Sequence, residues 1–307
     1  MAKNTRKILF FVGLVLLGLV LPLLVRSSYW RHVLILAYFY GLLACSWSFL
    51  EGYGGQFSFG HIALATVGGY TSGLLGKYFG FSPPVSMLVG ILGAGVIGFI
   101  IGVLCLRFRG AYLALFTIAF SEIVRVVITA ESNITMGRMG LELSPLFAQS
   151  NKIPYYYNMF LFLVFGFAIM YLVVHSRYGL YLRSIREDQD AAEAMGVDIT
   201  KYKVLAFTLT SMICGLAGVF YGHYLGILTP SFTSISTMGL VIAMAIIGGV
   251  ESLVAAALGG ILLEFGLEFL REVGTWRLVL FGGLLVFVVR FARNGLIAPV
   301  YHKMIGE

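Results

Sequence analysis

Charge is what this 307-residue sequence has least of: 11% of its residues are charged, and aspartate and cysteine each occur three times. With 59% hydrophobic residues and a mean hydropathy of +0.93, so little charge excludes a soluble globular domain and leaves a polytopic membrane protein. Cys45, Cys105 and Cys214 all lie in apolar stretches, a placement that points to neither a disulfide framework nor a metal cluster. The motifs of catalysis are missing as well. The single Gly-Lys pair, Gly76-Lys77, has Thr71 where a phosphate loop needs glycine and Tyr78 where it needs Ser or Thr. No HExxH, GxSxG or spaced Cys/His set occurs, so no catalytic residue, metal ligand or cofactor is expected in this chain. Any ATP energy has to be bound by another polypeptide.

What is present is apolar sequence in span-length runs. They cover roughly 8–25, 32–50, 57–76, 84–106, 111–129, 156–175 and 204–228, followed by less regular runs at 235–249, 253–270 and 278–289. The first and third of the last group are short for a crossing, so they are expected to be tilted, broken or re-entrant. The predicted fold class is all-α, a polytopic integral membrane protein of about ten transmembrane helices, with nine or eight as alternatives. We expect one transmembrane domain over 1–307, with a cytoplasmic segment at 177–203 and an outer loop at 130–155.

The loop charges set the orientation. With ten crossings and the N-terminus inside, Lys3, Arg6, Lys7, Arg107, Arg109, Arg177, Arg183, Arg186, Lys201, Lys203, Arg290, Arg293 and Lys303 fall on the cytoplasmic side. Arg26, Arg31, Lys77, Arg138, Lys152, Arg271 and Arg277 fall outside. Thirteen against seven obeys the positive-inside rule and predicts both termini in the cytoplasm. The net charge of +7 is then a topology signal, with lipid and not nucleic acid as the implied partner. The basic N-terminus resembles a signal peptide, but Leu21-Pro-Leu-Leu-Val-Arg26 offers no small-x-small cleavage site, so the first span is expected to be retained.

Five of the 14 acidic residues are concentrated in one place: Glu187, Asp188, Asp190, Glu193 and Asp198. Ser184 followed by Glu187 reads as a capping box, Glu187 and Asp188 suit a first turn, and Gly196 suits a left-handed C-terminal cap. Ala191, Ala192, Ala194 and Met195 favour helix. The prediction is a single helix of about three turns over 185–195. Its small side chains would admit a close partner, by analogy with helix-in-groove recognition.

Glycine, at 38 residues, is the next signal. Gly98 and Gly102, and Gly218, Gly222 and Gly226, recur every four residues and predict flat ridges for close helix packing. The segment Glu51-Gly-Tyr-Gly-Gly-Gln-Phe-Ser-Phe-Gly-His61 is different. Its glycines and polar groups suit a helix that begins inside the membrane, with unwound backbone facing a cavity. Gly54 and Gly55 are expected to hold conformations that a side chain disfavours, and Gln56, Ser58 and His61 are candidate polar contacts for a solute. A packed structural histidine is the alternative. Glu122 and Arg125 are expected to neutralise each other; Glu264 and Glu268 share a face and have Arg271 within reach.

Three motifs carry a resemblance: Gly52 to Thr71, Arg109 to Arg125, and Arg183 to Phe207. Together they resemble the LivM-type permease subunit of branched-chain amino-acid ABC transporters, over about residues 30–297. The resemblance implies a ten-helix permease in a bacterial inner membrane, paired with a homologous LivH-type permease. It further implies two cytoplasmic ATPase subunits that bind the ATP and a periplasmic substrate-binding protein. Glu193-Ala-Met-Gly196 corresponds to the coupling region inserted into the ATPase, which makes Glu187, Asp188, Ala191, Ala192, Glu193, Ala194, Met195 and Gly196 the candidate coupling residues. The sequence departs from the family at Thr135-Met-Gly-Arg-Met-Gly140, in place of a Thr-Gly-Gly-rich outer loop, and at Phe291 to Leu296. Related permeases handle urea, short amides or other amino acids, and an autonomous secondary carrier or channel is the rival class.

Overall fold

The computed structural model describes residues 2–105, 108, 110–147, 151–274, 276–292 and 295–305. Arg107, Arg109 and Arg293 of the loop-charge count, and with Arg109 the first residue of the second motif, lie outside them. The chain opens with α1 (Ala2–Leu24) and α2 (Ser28–Ser48), which continues as a π-helical turn over Phe49–Tyr53. Then come α3 (His61–Phe79), α4 (Pro83–Cys105), α5 (Ala111–Ala130) and the single turn α6 (Ser132–Thr135). After these follow α7 (Lys152–Val174), α8 (Arg177–Glu187), α9 (Gln189–Ala194) and α10 (Ile199–Leu225). The chain continues with α11 (Ile235–Gly248), α12 (Leu253–Phe269), α13 (Trp276–Phe291) and α14 (Ile297–Ile305). Two short strands, β1 (Leu141–Glu142) and β2 (Ile227–Leu228), pair antiparallel with Leu141 opposite Leu228.

The protein is thus an all-α polytopic membrane protein, and each of the ten apolar runs carries a helix. Among the described residues, six of these helices are long and apolar enough to cross a bilayer; the apolar parts of α1, α11 and α13 are shorter, and α3 falls in neither group. Helix ends depart from the apolar runs by a few residues throughout, and two departures have a structural cause. The third helix starts at His61 instead of residue 57, and α10 stops at Leu225 because Gly226 turns left-handed (φ +77°) and hands the chain to β2. Gly226 is therefore a cap and not the third member of the predicted ridge.

Lipid gives little hydrophobic drive between helices, so packing has to hold them. Helix α2 is the centre of one group, set against α7, α11 and α12, and α10 is the centre of another with α3 and α4. Phe39, Leu42, Leu43, Trp47 and Phe49 are fully buried along α2, as are Phe207 and Phe220 along α10. The predicted ridges work where two backbones meet. Gly98 and Gly102 of α4 lie against α10, and a side chain at Gly218 of α10 would strike the backbone of Ala65 on α3.

Candidate functional site

The helix that begins as α2 ends because its backbone hydrogen bonds run out of register. Gly55 N–H reaches Glu51 O at 2.9 Å, while Gln56 N–H goes to Leu50 O at 3.2 Å. Residues 55–60 are then non-helical. Gly55 adopts φ +62°, as expected, whereas Gly54 has an ordinary helical φ of −100° and needs no glycine on that account. The unwound stretch folds back along α2: Trp47 Nε1 donates to Ser58 O at 2.9 Å.

Irregular backbone buried away from water needs partners from the protein, and side chains supply them here. Phe59 N–H donates to Thr117 Oγ1 at 2.9 Å and Ser121 Oγ donates to Phe59 O at 3.0 Å, both from α5. Gly60 N–H donates to Ser58 Oγ at 3.0 Å. Gln56 Nε2 approaches Lys203 O on α10 at 3.5 Å. Gln56, Ser58 and His61 are all buried, with His61 at 1% exposure. They do not line any of the cavities described below. These three side chains of the break are packed inside this subunit. Both His61 ring nitrogens are buried without a hydrogen-bond partner among the described residues, an arrangement that costs stability wherever it is retained.

The acidic segment is built differently from the single helix predicted. Helix α8 carries Gly179, Leu182 and Ile185 on its buried side and stops at Glu187. Asp188 turns extended (φ −154°) and its Oδ1 accepts from Ala191 N–H at 3.0 Å, so Asp188 caps a separate short α9. Ser184, expected to be the cap, lies inside α8 with its hydroxyl donating to Tyr181 O at 2.8 Å. The correction has a physical reason. Asp is at least as good an N-cap as Ser, and Glu187 closes α8 instead of opening α9. The C-terminal expectation holds: Gly196 (φ +83°) N–H donates to Glu193 O at 2.9 Å and Val197 N–H to Ala192 O at 3.0 Å, a Schellman closure. Ala192 anchors α9 from below, while Ala191, Glu193, Ala194 and Met195 are exposed, Met195 by 85%.

Two residues that sequence reasoning passed over join these segments. Arg186, in the last turn of α8, donates to Gly52 O and to the carboxylate of Glu251 in the α11–α12 turn. Arg183 lies over the Tyr53 ring at 5.1 Å, and Tyr53 hydroxyl donates to Glu251 O at 2.9 Å. Ser48 Oγ donates to Val250 O at 2.7 Å. The signal for Glu251 was weak: one acid after a Gly-Gly-Val turn.

At the opposite end of the helices a cavity of about 480 Å³ is lined by Ser72, Lys77, Ser86, Glu142 and His223, among others. His223 Nδ1 donates to Ser144 O at 2.7 Å, and its Nε2 lies 2.8 Å from Ser72 Oγ, which donates on to Ser86 Oγ at 3.0 Å. Period and propensity gave no hint of this cluster, since its members are far apart in sequence. Two further cavities face outward and are apolar: one of about 340 Å³ between α1, α2, α7 and α12, and one of about 650 Å³ between α4 and α7. The Glu122–Arg125 pair forms at 2.6 Å, and Arg271 meets Glu268 at 3.1 Å. No group of residues suited to a metal ion occurs among the described residues.

An all-α membrane protein with a long helix interrupted by unwound backbone and an amphipathic, capped helix pair at one end has the build of a transport permease. The chain belongs to the family described as the permease component of branched-chain amino acid transport systems, whose model matches residues 30–289. It is 26% identical to the high-affinity branched-chain amino acid permease protein LivM of Escherichia coli, over 96% of this chain and 76% of the relative. A probable LivM of Methanocaldococcus jannaschii is 25% identical over 69% of this chain and 68% of its own length. The fructose import permease protein FrcC of Rhizobium meliloti is 24% identical over 71% of this chain and 66% of its own. No solved structure matches the chain significantly.

Proposed function

We propose that this chain is the LivM-type subunit of an ATP-driven importer whose solutes are branched-chain or related amino acids. It pairs with a LivH-type permease, receives solute from a periplasmic binding protein, and is driven by two cytoplasmic ATPase subunits that bind the ATP. In this reading the chain is one transmembrane domain of a bacterial inner membrane with both termini cytoplasmic, and it catalyses no reaction itself. The observation that carries the reading is the exposed α9 face: a short helix capped at both ends, held out from the bundle with alanines and Met195 toward solvent. Small side chains on a fixed short helix suit insertion into a partner's groove.

A second feature supports a partner within the bilayer. The Glu122 and Arg125 side chains are 34% and 42% exposed on α5, amid exposed Leu115, Ile123 and Val126. A charged pair at that depth is costly against lipid and suits a protein neighbour or an aqueous path. Gln56, Ser58 and His61 supply weak polar contacts at the interrupted helix, which the solute would reach only in a conformation that opens it. The fructose-permease relative supports a second reading in which the solute is a sugar.

Reconstitution of the complete complex in proteoliposomes tests the function. We expect labelled leucine uptake that requires both ATP and the binding protein, and no uptake by the purified chain alone under an ion gradient. Uptake by the chain alone would make it an autonomous carrier. In the same assay His61→Ala is expected to slow translocation while leaving capture by the binding protein intact; unchanged uptake would leave His61 as a packing residue.

A further inference from the structure

The interrupted helix and the exposed α8–α9 segment are read from separate parts of the sequence, and the Arg186 side chain joins them across 134 residues. We infer that Arg186 is the positioning residue that ties the ATPase-facing segment to the break between α2 and α3. Movement of α8 is thereby transmitted to the start of α3. The inference rests on the proposed importer function.

The geometry makes the tie specific. In a continued α-helix the Gly52 carbonyl would accept from Gln56 N–H, but that N–H is engaged by Leu50 O. The Arg186 guanidinium takes its place with one nitrogen, and with another it binds the Glu251 carboxylate. A planar guanidinium can hold a carbonyl and a carboxylate in one fixed orientation, which a lysine ammonium does not. The aliphatic part of Arg186 also covers Gly55: a Cβ there would lie 3.2 Å from Arg186 Cγ and 3.3 Å from its Cα. The left-handed residue that starts the break is thus roofed by the residue that holds it. Arg183, one turn earlier on α8, adds its contact with Tyr53. The turn that carries Glu251 is itself fixed to α2 through Ser48 and Tyr53.

Three elements therefore share one polar junction: the end of the α2 continuation, the α11–α12 turn and the last turn of α8. Ile185 and Leu182, buried beside it, keep α8 seated. The guanidinium also lies 4.0 Å from the Glu187 carboxylate, and its Glu251 partner is 73% exposed, so the junction borders the surface that carries α9. A displacement of α8 larger than the tie can absorb has to move the Gly52 carbonyl or break the tie, since packed interfaces switch between arrangements instead of deforming smoothly.

The test uses the full complex and the purified chain in parallel. Arg186→Met is expected to lower solute moved per ATP hydrolysed about tenfold, with hydrolysis and subunit recovery held within about twofold; Arg186→Lys and Glu251→Gln should lower it about threefold. In the chain alone, hydrogen exchange over residues 52–60 should accelerate at least about tenfold in Arg186→Met, with α2 residues 34–45 unchanged. Unaltered exchange at 52–60 overturns the tie, whatever transport does. An unaltered ratio, or transport and hydrolysis falling together, overturns its role in transmission. Failure of the unmodified complex to couple ATP to transport would instead refute the importer function, and the exchange experiment would still decide whether the tie exists.

Discussion

Gly55 and Gly196 adopt nearly the same left-handed turn, φ +62° and +83°, in opposite surroundings. Gly55 is roofed by the backbone and side chain of Arg186, whereas nothing lies within 4 Å of the place where a Gly196 Cβ would sit. The same backbone device closes a helix in both places. At Gly55 it turns the chain back into the bundle, where every polar group must find a partner inside the protein. At Gly196 it ends a helix whose remaining surface faces water. The difference teaches that the left-handed glycine says where a helix stops, while the groups packed over it decide whether the stop belongs to the fold or to a partner.

The largest expected effect breaks the comparison at Gly55. In Gly55→Val a β-branched side chain must adopt φ near +60° and also displace Arg186, and the two together are expected to cost about 2–4 kcal/mol. We expect loss of monodisperse protein in detergent, or a melting temperature lowered by roughly 5 °C or more, measured by thermal unfolding of the purified chain. An unchanged melting temperature would mean that the break is held loosely and that its crowding is not a constraint.

Gly196→Val asks the same question where there is room. Only the left-handed conformation is penalised, on the order of 1 kcal/mol locally, so insertion and melting should stay near those of the unmodified protein. ATPase copurification or stimulation is expected to fall, because the altered cap tilts the α9 face. If copurification and transport are both unchanged, the segment is a solvated connection and not a docking element.

How far the sequence could lead to this contrast depends on the range of each interaction. Apolar runs gave every long helix because bilayer length is a local property, and Gly196 was legible as a cap because a Schellman closure spans six residues. The cap at Asp188 was misread as Ser184: two good capping residues lay within one turn, and only the seating of Leu182 and Ile185 against the bundle decides which of them starts a helix. The break at 55–60 was legible in its glycines. Its packing against Thr117, Ser121 and Trp47 was not, because those partners come from other helices. Arg186 looked like one more topology charge for the same reason: Gly52 and Glu251, its partners, are 134 and 65 residues away. Glu122 and Arg125, three residues apart on one helix, were paired correctly.

The smallest perturbation sharpens the comparison by asking on which side of the membrane the two glycines lie. The Arg186 tie puts the Gly52 carbonyl and α8 at the same end of the helices, and β1, β2 and α6 are at the other, so one labelling site at each end settles the orientation. Thirteen basic residues against seven favour the α8 end as cytoplasmic. Ser184 and Ser132 are both exposed, and the Ser184 hydroxyl gives up only one hydrogen bond within its own helix, so Ser184→Cys and Ser132→Cys should leave folding and uptake almost untouched. Because Cys45 and Cys214 are buried, their background with a membrane-impermeant maleimide should be low. In intact cells we expect Ser132→Cys to label and Ser184→Cys to label only after permeabilisation. The reverse pattern would place α9 outside, where no ATPase can reach it, and would leave the contrast between the two glycines as one of packing alone.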